Sequence, residues 1–136
     1  MYLFVNTSNH EHIFLALINK KGEILNKKKI KAEYQQSEKL LENINKIIPD
    51  VSKLKGIIAI IGPGGFTSLR IGIAAANTMA WALNIPIVGV NNKNNLDSLT
   101  LINKSVKLIT SKKAFKKQIL PKYGKEPNIT IKKYLF

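Results

Sequence analysis

Gly56-Ile-Ile-Ala-Ile-Ile-Gly62-Pro63-Gly64-Gly65-Phe66-Thr67-Ser68-Leu69-Arg70-Ile71-Gly72 is the stretch that decides the fold. Its first six residues form an apolar, largely β-branched run with no polar alternation, the pattern of a strand covered on both faces in a sheet with parallel central strands. The run stops at a Gly-Pro-Gly-Gly loop, and helical spacing takes over from Thr67 to Asn84. At 100° per residue, Gly72, Ala75, Ala76, Met79 and Leu83 share one side of that helix, whereas Arg70, Ala74, Asn77 and Trp81 share the opposite side. The small residues of the first side let the helix lie close against a sheet.

Working outward, Tyr2–Val5 and His12–Ile18 read as two strands of a hairpin, and a third strand runs from Ile24 to Ile30 after the turn at Gly22. The spacing predicts a helix over Tyr34–Ile48, with Leu40, Leu41, Ile44 and Ile47 on its apolar face, Glu42 and Lys46 as an i,i+4 pair, and Pro49 as its stop. Beyond Pro86 come a short strand, Ile87–Val90, an Asn-rich turn and a helix around Leu96–Ile102. Val106–Thr110 reads as a further strand, Phe115–Leu120 as its partner and Ile129–Ile131 as an alternating stretch. The order β-β-β-α-β-α-β-α predicts an α/β fold.

The 136 residues suffice for one domain with its own core, and the absence of cysteine excludes a disulfide framework, a thiolate zinc site and a cysteine nucleophile. No apolar run is long enough to span a bilayer, so the sequence reads as cytoplasmic, with no membrane association. The net charge is +14, and 21 of the 22 basic residues are lysine, Arg70 being the exception. Residues 101–136 hold ten lysines against Glu126. A basic surface suits nucleic acid. A lysine-rich surface also keeps a small protein in solution, and it lacks the arginine fork used to read phosphates and bases.

Three chemical readings follow from the residues alone. The Gly62, Gly64 and Gly65 loop, opening onto Thr67 and Ser68, places backbone N–H groups and a helix N-terminus together, which suits an anion and offers the reading of a small nucleotide-binding enzyme. The plainer alternative is a tight strand-to-helix turn with a capping hydroxyl, since the loop has neither a Walker lysine nor a third glycine. The Arg70, Ala74, Asn77 and Trp81 stripe combines an aromatic and an arginine as interfaces do, or else lies under the chain's own loops. Basic residues with Phe115, Tyr123 and Tyr134 in the tail offer an RNA-binding module.

The run Gly62 to Ala74, followed by Asn84-Ile-Pro-Ile-Val-Gly-Val90, resembles the bacterial TsaB (YeaZ) family of threonylcarbamoyladenosine biosynthesis proteins, which carry GPGSFTGLRIG and an IP(L/I)VGV strand in these places. Val5-Asn6-Thr7-Ser8 and Gln36-Ser37-Glu38-Lys39-Leu40-Leu41 echo that family's Asp-Thr-Ser turn and His-(Ser/Ala)-x-x-Leu-Leu helix start. The likeness extends from Met1 to about Leu99. It implies the first lobe of an actin/sugar-kinase/Hsp70-like fold of ribonuclease-H-type topology, with residues 1–103 forming that lobe. The second lobe is then largely deleted, and residues 104–136 are a short basic remnant packed on the first.

The resemblance further implies a non-catalytic subunit. Its main partner would be TsaD, the enzyme that transfers threonylcarbamoyl to adenosine 37 of tRNA, joined by the ATPase TsaE, with a homodimer as the alternative pairing and tRNA contact as a secondary role. Arg70, Ala74, Asn77, Trp81, Leu40, Ile44 and Ile47 become the expected interface. No cofactor, metal or catalytic residue is expected: Asn6 stands where active relatives of the superfold have a magnesium-holding carboxylate, and Asp50 and Asp97 are the only aspartates. His10 and His12 read as surface residues near a hairpin turn.

Overall fold

A computed structural model describes residues 1–111 and 117–123. Strand β1 (Tyr2–Asn6), β2 (His12–Ile18) and β3 (Ile24–Lys31) form an antiparallel meander. Helix α1 (Gln36–Ile47) and a single 3-10 turn (Val51–Lys53) lead to β4 (Gly56–Gly62), which lies parallel to β1. Helix α2 (Phe66–Leu83) returns the chain to β5 (Ile87–Asn91), parallel to β4, and α3 (Ser98–Ile109) follows. The sheet order is β3-β2-β1-β4-β5, with β4 buried along its whole length. This is an α/β lobe of ribonuclease-H-type topology, as the resemblance implied.

The alternation of side chains across the sheet separates two cores. Leu3, Val5, Ile13, Leu15, Leu17, Ile57 and Ala59 point towards α1 and α2, whereas Phe4, Ala16, Ile18, Ile58 and Ile60 point towards α3. Burying the large side chains of these layers is worth about 1.5–3 kcal/mol each. On α2 the sheet side is Leu69, Gly72, Ile73, Ala76 and Ala80, all buried. Gly72 is required there, since a Cβ at that position would stand 2.1 Å from Thr7 Oγ1 and 2.9 Å from Thr7 Cβ.

One segment departs from the sequence reading. Val106–Thr110 is not a strand: α3 continues through Ile109, crossing residue 103 without a break. Leu101, Ile102, Ser105, Val106 and Ile109 are spaced for one helical face and are all buried against β4 and β5. Five residues of mostly apolar character lose to the packing of a whole amphipathic helix, which Asp97 caps by accepting from Thr100 N–H at 2.8 Å. Residues 117–120 have no regular structure, so the Phe115–Leu120 strand is absent from that portion; Phe115, Lys116 and Ile129–Ile131 lie outside the described residues.

Candidate partner-docking site

The glycine loop is held by the chain's own backbone. Gly65 N–H donates to Ser8 O at 3.2 Å, and a Cβ on Gly64 would stand 2.5 Å from the same oxygen. Ser8 is itself fixed by Asn6, whose Oδ1 accepts from Ser8 N–H at 3.0 Å and from Ser8 Oγ at 2.6 Å. The carboxamide of Asn6 thus serves a turn. Gly62 faces Lys122, whose carbonyl oxygen would lie 1.6 Å from an added Cβ. Gly65 is the cap residue of α2, Thr67 is exposed, and the buried Ser68 donates from Oγ to Gly65 O at 3.3 Å.

Residues 117–123 lie across this end of the sheet. Lys122 N–H donates to Ile61 O at 2.7 Å, Ile119 packs beside Ile61, Leu69 and Ile73, and the Tyr123 ring meets Phe66 edge-on with centroids 4.4 Å apart. Asn77 fastens the segment from α2: its Nδ2 donates to Ile119 O at 2.9 Å while Ile119 N–H donates to its Oδ1 at 3.0 Å. An Asn77→Ala variant is therefore expected to lose about 1–2 kcal/mol from two hydrogen bonds. Exchange of the Ile119 and Lys122 amides should quicken roughly tenfold, with the β4 amides unchanged. Equal quickening throughout would show global destabilisation instead.

The other stripe residues of α2 reach solvent. Arg70 and Ala74 are exposed, and Trp81 is 84% exposed. Asn77, half-buried and committed to Ile119, is not free to meet a partner through its carboxamide. On α1 the sequence expectation needs correction. Leu40, Ile44 and Ile47 are 1–4% exposed and belong to the core under the sheet, because the centre of the apolar stripe turns inward. Its edge carries the surface: Leu41 is 58% exposed and Ser37 is exposed.

Between the two helices runs a groove of about 350 Å³, walled by Ser37 and Leu41 on α1 and by Ile71, Ala74, Ala75 and Thr78 on α2, with Leu40 and Met79 at its base. It is almost wholly apolar, and its small α2 residues leave room for a helix to approach. Ser37 and Ile71 also border a cavity of about 430 Å³ lined by His10, Tyr34, Gln36, Thr67 and Ser68. Here Gln36 Nε2 donates to His10 O at 2.9 Å and Asn9 O at 3.2 Å, while Oε1 is buried without a partner. Tyr34 stands beside it, 92% exposed on a left-handed backbone (φ 60°). Nothing in the local sequence marks Gln36 or Tyr34 as paired with the start of α2.

Against known proteins, the family model described as tRNA N6-adenosine threonylcarbamoyltransferase (TsaD) matches residues 24–106. The chain belongs to the TsaD family. This TsaD-family chain is 40% identical over 57 residues to the tRNA threonylcarbamoyladenosine biosynthesis protein TsaB of Bacillus subtilis. It is 39% identical over 64 residues to the tRNA N6-adenosine threonylcarbamoyltransferase of Geotalea daltonii. These matches take in 42% and 41% of the chain but 24% and 19% of the relatives, so it spans a fraction of their length. Among solved structures, YeaZ from Pseudomonas aeruginosa superposes with a TM-score of 0.60 and 26% identity, over 66% of this chain and 43% of that one. The TsaD-family chain is thus YeaZ/TsaB-like in both sequence and fold. None of its helices, among the described residues, is long and apolar enough to cross a membrane.

Proposed function

We propose that this chain is a docking subunit in tRNA threonylcarbamoyladenosine biosynthesis, pairing through α1 and α2 with a TsaD transferase that carries the chemistry on adenosine 37. The observation that carries this reading is the apolar groove between two helices, bordered by an exposed Leu41 and continued along α2 by an exposed Trp81. Its occupant is a helix pair of similar construction, because two such faces, each rich in small residues, interlock as a four-helix layer. Such an arrangement suits a family in which related lobes meet, whether TsaD or a second copy supplies the other half. TsaE is the further member expected in that complex.

In this reading the chain supplies no chemistry, in keeping with two positions among the described residues that are already engaged. Asn6 is engaged in the Ser8 turn, and the glycine loop is occupied by Ser8 and Lys122 backbone. The test is reconstitution with the TsaD, TsaE and remaining components of the same cell, reading threonylcarbamoyladenosine in tRNA by mass spectrometry of nucleosides. Formation of the modified base is expected to depend on this chain. Undiminished formation when it is left out would end the proposal.

A further inference from the structure

We infer that the β2–β3 hairpin carries a binding surface for the phosphate backbone of RNA, on the side of the sheet that holds α3. Cross-strand partners share a face, and β2 residues His12, Phe14 and Ala16 stand opposite Lys31, Lys29 and Lys27. Phe14 and Ala16 belong to the α3-side core, which fixes the side of the three lysines. They recur at every second residue, about 6.8 Å apart along the strand, and all three are exposed. Lys28, the odd one out, points to the other side, where its Nζ lies 3.4 Å from Asn43 Oδ1 on α1.

Helix α3 packs mainly on β4 and β5 and reaches the hairpin at Gly22, where an added Cβ would meet Asn103 and Val106; it leaves Lys27, Lys29 and Lys31 exposed and adds exposed Lys104 and Lys107 to the same side. Carboxylates sit at the margins: Glu23 in the hairpin turn, held by Asn19 at 3.2 Å, Asp97 at the α3 cap, and Glu11 and Glu33 beyond Lys31. His10, Glu11 and Glu33 form an exposed cluster there, with ligand atoms within 4.8 Å of one another. Among the described residues no carboxylate comes within ion-pair distance of Lys27, Lys29 or Lys31. A row of unpaired cations matches a polyanion, and lysine in place of arginine suits backbone attraction without base reading. Lysines also blunt an edge strand against self-association, and β3 is such an edge. That role is indifferent to RNA and makes a different prediction.

The choice of tRNA as the RNA rests on the proposed function. Binding of unmodified tRNA by the whole chain is measured by fluorescence anisotropy from 50 to 200 mM KCl, for the parent and for Lys27→Gln/Lys29→Gln/Lys31→Gln. Lys39→Gln/Lys53→Gln/Lys55→Gln serves as the control of equal charge change. We expect the hairpin variant to bind roughly tenfold or more weakly at low salt and to lose about 2–3 from the magnitude of its log–log salt slope. The control should change little, and both variants should keep the parent melting temperature. If the two variants lose affinity equally, or the hairpin variant keeps its affinity and self-associates instead, the surface is not an RNA site. Complex formation with TsaD, measured separately, is expected to survive in the hairpin variant, so failure of this inference and failure of the docking proposal are told apart. A single Lys29→Glu change gives a second reading should the triple variant fold poorly.

Discussion

A Gly72→Ala variant is expected to melt roughly 5–10 °C below the parent protein, although alanine is the better helix former by about 1 kcal/mol. The new methyl meets Thr7, which is 1% exposed at the end of β1, at distances of 2.1 Å to Oγ1 and 2.8 Å to Cγ2. A β-branched side chain in a packed interior has no spare rotamer, so either Thr7 or the whole of α2 must shift. Overpacking of this kind costs about 1–3 kcal/mol net. Thr7→Ala/Gly72→Ala should regain part of the loss, because both of the closest atoms are then gone. A single variant as stable as the parent would mean that α2 rides higher on the sheet than described.

The largest effect on function is expected from the groove. An Ala74→Arg side chain would stand up between α1 and α2 where a partner helix needs close approach, and Leu41→Asp would place an uncompensated charge in the same apolar strip. Either change should weaken binding to TsaD by roughly 100-fold or more, with the monomer's stability nearly unaffected, since both positions are exposed. Trp81→Ala is the complementary truncation and removes an exposed aromatic of the hot-spot class. Ile44→Ala, by contrast, should act through folding alone, because its side chain is 4% exposed in the core. Wild-type affinity in both groove variants would move the interface elsewhere on the molecule.

These contrasts show which parts of the molecule were legible in the sequence. The unbroken apolar stretch of β4 and the small residues facing inward on α2 carry local signals, periodicity and residue size, that survive into the structure. The meander before them was readable from its turns. On α1 the period was right, yet periodicity describes an arc wider than the sheet can cover: Leu40 and Ile44 lie at its centre, Leu41 at its rim. Only the position of α2 decides which of them meets solvent.

Long-range contacts left no local trace. Gly62 is needed because Lys122 passes over it, sixty positions away, and Asn77 is spoken for by Ile119. In sequence, Asn77 differs in nothing from an asparagine on an open interface. The strand reading of Val106–Thr110 gives way for a related reason: a short apolar stretch is ambiguous until the four-residue spacing of Leu101, Ser105 and Ile109 is anchored against β4. The buried Gln36 Oε1 is likewise invisible before α1 and the β1–β2 turn are brought together.

The central claim is that this lobe is built to be half of a helix-mediated pair. Its most direct test is light scattering on size-exclusion of the purified chain mixed with the TsaD of the same cell, at concentrations of tens of micromolar. A single species with the mass of a one-to-one complex is the predicted result, lost on Ala74→Arg. Two species eluting at their separate masses, in the presence of every other component of the modification reaction, would contradict it.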